Sequence, residues 1–177
     1  MIGRLLPLIL FLILGVLLAV GLKISDTKTH IPSPLIGKQV PAFDLPRLFQ
    51  PEARVSNQDL LGKPYLVNFF GSWCPTCVYE HPVLEELAAT QRLKIVGLNY
   101  KDEPQDAVAW LARHGDPYDV IITDYNGQIG IDFGVYAAPE SFLVGADGTI
   151  LYKHIGALTM EVIEETIIPL AKTGGDS

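Results

Sequence analysis

The junction at residues 64–90 limits this chain more than any other feature: PYLVNFF runs through GSWCPTC into VYEHPVLEELAAT. Residues 64–70 form a near-continuous apolar run with β-branched and aromatic side chains, which suits a strand buried on both faces. From about residue 75 to 90 the pattern becomes helical, and Pro75 suits an opening turn. A buried strand that feeds a helix through a tight turn points to a layered α/β arrangement. The only two cysteines of the chain, Cys74 and Cys77, lie at that turn.

The rest of the chain keeps the alternation. RLKIVGLNY (92–100) reads as a strand. EPQDAVAWLARHG (103–115) reads as a helix with Ala107, Trp110 and Leu111 on one face and Gly115 as its stop. DVIIT (119–123) is a short strand, followed by a small helical piece at 127–133. Two strand-like runs then flank Ala146-Asp147-Gly148, a hairpin signal. TMEVIEETIIPLAK closes the chain as one helix, with Val162, Ile163, Thr166 and Ile167 toward the core. This order predicts a central mixed sheet flanked by helices.

Residues 5–22 are eighteen positions without a charge, bracketed by Arg4 and Lys23. That length reaches what a bilayer-spanning helix needs and exceeds the apolar core of a signal peptide. The competing reading is a cleaved signal, since Ala19-Val20-Gly21 loosely fits a cleavage site. The favoured division is a cytoplasmic stub (1–4), a transmembrane anchor (5–22), a polar, Pro-interrupted tether (23–40) and one globular domain (41–177). The chain has 13 basic and 20 acidic residues. An acidic domain is a poor candidate for nucleic acid.

A two-residue loop closes too little chain for Cys74–Cys77 to serve as a stability device. A helix N-terminus, by contrast, stabilises a thiolate on the first cysteine. Cys74 is therefore the expected nucleophile, and Cys77, one turn further on, the thiol that resolves the mixed disulfide. A metal site made of Cys74, Cys77 and His81 is the alternative. It falls short of the four ligands of a structural zinc, while a copper(I) site of two sulfurs and one histidine is chemically plausible. A peroxidase is discounted, because Ser72 does not sit at the required offset and no suitable arginine is found.

Trp73-Cys74-Pro75-Thr76-Cys77 after a buried strand, Pro82 within the helix and Ala138-Pro139 before the strand ESFLV resemble a thioredoxin-fold oxidoreductase. The segments GSWCPTCxxEHPxL, VGLNYKD (96–102), GVYAAPESFLV (134–144) and YKHIGAL (152–158) resemble, more narrowly, the CcmG (DsbE) family of cytochrome c maturation, from about Leu35 to Leu170. The resemblance implies a thioredoxin-like fold and a dithiol:disulfide oxidoreductase tethered to the bacterial inner membrane by a single span, with its catalytic domain in the periplasm. It implies reduction of the haem-binding cysteines of apocytochrome c, or of a mixed disulfide with a CcmH-type partner. Electrons would come from a membrane reductase of the DsbD or CcdA type, with no cofactor, no metal and a monomeric chain.

Pro139 is then the cis-proline facing the cysteines, and Trp73, Tyr136 and Ala138 border the substrate groove. Thioredoxins carry a buried aspartate where this chain has Asn68, so another acid must move the proton. Glu80 and Glu140 match acids of the subfamily and are the candidates. Ala137 stands where the family commonly has glycine, which narrows the groove. Trp110, His114 and His154 read as structural. Another tethered thioredoxin-like reductase is the alternative within the same chemistry.

Overall fold

A computed structural model of the protein describes residues 2–25 and 33–174; within the first stretch, side chains are described at Pro7 and residues 10–20. The chain divides into two compact units between Pro32 and Ser33. The first contains helix α1 (Ile2–Ser25). Its side chains from Leu10 to Val20 are all exposed and, glycine aside, all apolar. Among the described residues no helix is long and apolar enough to cross a membrane. Of the stub and tether residues, Met1 and 26–32 lie outside the described residues.

The second unit is a thioredoxin-like α/β domain. Its strands are β1 (Asp44–Pro46), β2 (Arg54–Ser56), β3 (Tyr65–Phe70), β4 (Lys94–Tyr100), β5 (Val120–Asp124), β6 (Glu140–Val144) and β7 (Ile150–Ile155). Its helices are α2 (Pro75–Thr90), α3 (Pro104–His114), α4 (Gln128–Asp132), α5 (Met160–Val162) and α6 (Ile168–Thr173). The main sheet has the order β5-β4-β3-β6-β7. β3, β4 and β5 run parallel, whereas β6 and β7 are antiparallel additions.

β3 lies at the centre, and all six of its residues are buried. One face of the sheet, bearing Leu66 and Phe70, packs on Leu84 and Leu87 of α2, Trp110 of α3 and Ile163 and Ile167 near the C-terminus. The other face, bearing Val67 and Phe69, packs on Ile129, Phe133, Val40 and Phe43. There Phe69, Phe133 and Phe142 meet edge-to-face, with ring centroids 5.1–5.6 Å apart. The cysteines belong to the first face.

Local chemistry sets the element ends. The β6–β7 turn is closed by Asp147, whose Oδ1 accepts from the Thr149 amide at 2.9 Å, and by Gly148 at φ 88°. The C-terminal helix departs from the continuous one expected. A π-helical turn, Ile163–Ile167, separates α5 from α6. Pro169 has no N–H, and in a regular helix its ring would press on the Glu165 carbonyl; the wider turn before it relieves that contact.

Residues 33–40, read from the sequence as the end of a tether, belong to the folded unit. Gly37 N donates to Ile150 O at 2.8 Å and Val40 N to Gly148 O at 2.9 Å, which fastens this segment to the start of β7. On the opposite side, Leu48 N donates to Ile121 O at 2.9 Å and covers the edge of β5.

Candidate active site

Cys74 and Cys77 are joined by a disulfide at the point where β3 hands the chain to α2. Cys74 is the N-cap of α2, and its Sγ accepts a hydrogen bond from the Cys77 amide at 3.1 Å. The same N–H and the helix dipole favour negative charge on that sulfur once the bond is reduced. Both cysteines are nearly enclosed, 2% and 1% exposed, whereas Trp73 beside them is 47% exposed.

The turn before the pair is fastened to the end of β4. Ser72 donates from its amide and its hydroxyl to the two Asp102 carboxylate oxygens, at 2.7 and 2.6 Å. Asn99 Nδ2 donates to Asp102 at 2.8 Å, and Trp73 Nε1 donates to the Tyr100 carbonyl at 3.0 Å. Gly71 is what lets the indole fold back, since a Cβ there would lie 2.5 Å from Trp73 Nε1.

One helical turn beyond Cys77, on the same face of α2, lies Glu80. It is 1% exposed, and its two oxygens accept from Asn68 Nδ2 at 2.8 Å and from the Leu158 amide at 2.9 Å. Burial outweighs those two donors and pushes the Glu80 carboxyl up to about 7. The Asn68 amide is oriented in turn. Its Oδ1 accepts from the Tyr118 hydroxyl at 2.8 Å, and its Nδ2 also donates to Ser141 Oγ at 3.0 Å. Tyr118 reaches this position by lying over Gly97, the β4 residue paired with Asn68; a Cβ on Gly97 would meet the ring at 2.8 Å. The result is a buried acid whose proton affinity lies near neutrality, on the disulfide's face of the sheet. Such a group can take up and return a proton as a neighbouring thiol forms and reacts.

The Redoxin family pattern matches residues 35–167. The thiol:disulfide interchange protein DsbE of Pseudomonas aeruginosa is 46% identical over 166 residues, which cover 94% of this chain and 91% of that protein. Its Escherichia coli K12 counterpart is 44% identical over 171 residues, 94% of this chain and 91% of that protein. The chain belongs to the DsbE family. It is a thiol:disulfide oxidoreductase. A crystal structure described as DsbE from Chlorobium tepidum superposes with TM-score 0.69 at 26% identity, covering 77% of this chain and 97% of that one.

The residues singled out in this DsbE-family sequence are not all placed together. Cys74, Cys77 and Ala138 share one packed cluster, Glu80 bonds to Asn68 on the same face, Pro139 follows Ala138 through a cis peptide, and the Trp73 indole lies against Tyr100. Tyr136 is 72% exposed in the same loop, where Ala137 is exposed as well. Glu140 follows Pro139 in sequence but lies on the other face of the sheet, because β6 alternates: Ser141 bonds to Asn68, and Glu140 pairs with Lys153 at 2.7 Å. Of the two candidate acids, only Glu80 shares a face with the cysteines.

His81 is buried against the Trp110 ring at 4.6 Å and against Tyr118, and its Nε2 meets the Gly115 carbonyl at 2.9 Å. Burial lowers its pKa. Among the described residues no group of three His, Cys, Asp or Glu is gathered to hold a metal ion. Trp110 is buried between Phe70, His81 and His114, and His154 Nε2 meets the Ala157 carbonyl at 3.2 Å. Sequence reasoning missed Tyr118, Ser141, Asp102 and Leu158. The glycine inside the strand VGLNY was the one available signal, since such a glycine marks a close approach by another group.

Proposed function

We propose that this chain is a dithiol reductant that acts on the haem-binding cysteines of apocytochrome c, or on a mixed disulfide between them and a CcmH-type maturation partner. The observation that carries the direction of electron flow is the buried Glu80 on the cysteines' face. A strong oxidant is one whose reduced, thiolate form is stabilised. A carboxylate near a thiol disfavours the thiolate, and the intervening Pro75 and Thr76 bring no positive charge to offset it. The disulfide form is thereby favoured, and electrons pass outward. Cys74 attacks the target disulfide as the thiolate, one target sulfur leaves, and a mixed disulfide forms. Glu80 accepts the Cys77 proton as Cys77 attacks Cys74 Sγ; the second target sulfur leaves as a thiolate and takes that proton from Glu80, and Cys74–Cys77 closes.

The substrate reading rests on the resemblance and on relatives named thiol:disulfide interchange protein DsbE. Residues 5–22 anchor the chain in the inner membrane with the domain in the periplasm, a reading supported by their freedom from charge and by the exposed apolar side chains of residues 10–20. An oxidising periplasm would leave the pair as a disulfide, so a DsbD- or CcdA-type membrane reductase recharges it.

The reduction potential of the pair, measured in the full chain, tests the direction: a value well below about −200 mV is expected, and one near −120 mV overturns it. Haem attachment to c-type cytochromes tests the substrate. It should fail in cells in which Cys74→Ser replaces the wild type, and normal attachment would remove apocytochrome c from consideration.

A further inference from the structure

Glu140 and Lys153 form an ion pair that the thiol chemistry does not use. Their side chains are 0% and 7% exposed, and Nζ lies 2.7 Å from Oε2. Replacing such a buried pair by apolar side chains is often neutral or stabilising, so stability alone does not account for it. What it holds is more informative. Glu140 Oε1 accepts from the amides of Tyr136 and Ala137 at 3.1 and 3.2 Å. Lys153 Nζ donates to the Gly134 carbonyl at 2.9 Å and lies 5.3 Å from the Tyr136 ring centroid. Three backbone groups of one short loop thus end on a single ion pair.

That loop borders the disulfide. Phe69, next to last in β3, is paired with Glu140, the first residue of β6, so residues 71–77 and 134–139 leave the sheet at the same end. The cysteine sulfurs are almost wholly covered, whereas Tyr136 and Ala137 are exposed and Ala138 packs against the cysteine cluster. A disulfide on a partner chain that reaches Cys74 comes up beside this loop. Where the loop sits decides where the partner lies.

We propose that Lys153, acting through Glu140, is the positioning residue of the partner-binding loop 134–138 and thereby sets which extended disulfide segments the chain accepts. The inference rests on thiol:disulfide exchange alone and holds whichever protein supplies the disulfide. It makes Lys153 a determinant of binding rather than of the chemical step, although it lies on the opposite face of the sheet from the cysteines.

The test is steady-state reduction of a short synthetic peptide with an internal disulfide by the full chain, with dithiothreitol recharging the pair: peptide disulfide is reduced to dithiol as dithiothreitol is oxidised. Lys153→Met should raise KM by about 10- to 100-fold with little change in kcat, the signature of lost binding rather than lost chemistry. Lys153→Arg should restore KM by keeping the charge. The double variant Lys153→Met/Glu140→Leu replaces the pair with apolar side chains; it should stay folded, unfold somewhat earlier because the Tyr136 and Ala137 amides lose their acceptor, and still show the raised KM. A folded double variant with wild-type KM overturns the proposal, as does a fall in kcat at constant KM. A double variant that does not fold overturns it equally, because the pair would then be needed for the fold itself.

Discussion

Glu80 is a carboxylic acid in a place that disfavours its charge, and its proton is the most informative single group in the molecule. In the unfolded chain it ionises near the ordinary 4.5; in the fold, burial raises this to about 7. Between those values the native state holds a proton that the unfolded state has released. Stability therefore falls as pH rises through that window, and the contribution is level above it. The whole decline amounts to about 3 kcal/mol. Glu80→Gln removes the titration. It also faces an amide donor toward the Leu158 N–H, at a pH-independent cost of about 1–3 kcal/mol for the unsatisfied group. Thermal unfolding of the oxidised chain across this pH range should show a Tm difference between wild type and variant that shifts in the variant's favour as pH rises. A constant difference would mean that Glu80 does not titrate there.

At the scale of elements, the C-terminal helix shows how packing and local strain coexist. Ile163 and Ile167 are fully buried against the cysteines' side of the sheet, even though they bound the π-helical turn before Pro169. Ile167→Ala should destabilise by about 2–5 kcal/mol, read as a lower urea midpoint with unchanged slope. A loss below 0.5 kcal/mol would mean that the turn lets the helix settle into the space. The regular elements were legible because burial imposes a period: β3, α2, β4, α3 and β5 lie where apolar runs and helical spacing put them. The Asp147-Gly148 turn likewise marked the β6–β7 hairpin. β1 and β2 were not legible, since three residues each give no period to read. Nor was the partner of Glu140. Lys153 stands on the neighbouring strand, opposite Phe142, and that register is decided by the fold rather than by any local signal. The same holds for Tyr118, which meets Asn68 across fifty residues of chain.

At the scale of the molecule, every residue of the two core clusters lies between Leu35 and Ala171, within the unit that begins at Ser33. A fragment of residues 33–177 should therefore unfold cooperatively at the Tm of the full chain and reduce a disulfide peptide at the same rate. It should also leave the membrane fraction of cells in which the full chain is retained. A lower Tm would show that residues before Ser33 contribute to the core.

Two consecutive residues of β6, Glu140 and Ser141, serve opposite faces of one sheet. Ser141 touches the network around the acid, and Glu140 braces the loop that meets the partner. Glu80 and Lys153 share no bonding partner, so the effects of substituting them should add. A lineage that altered the brace could exchange one client for another while its electron affinity stayed where it was, and a lineage that altered the acid could do the reverse. A single strand thus gives selection two separate controls.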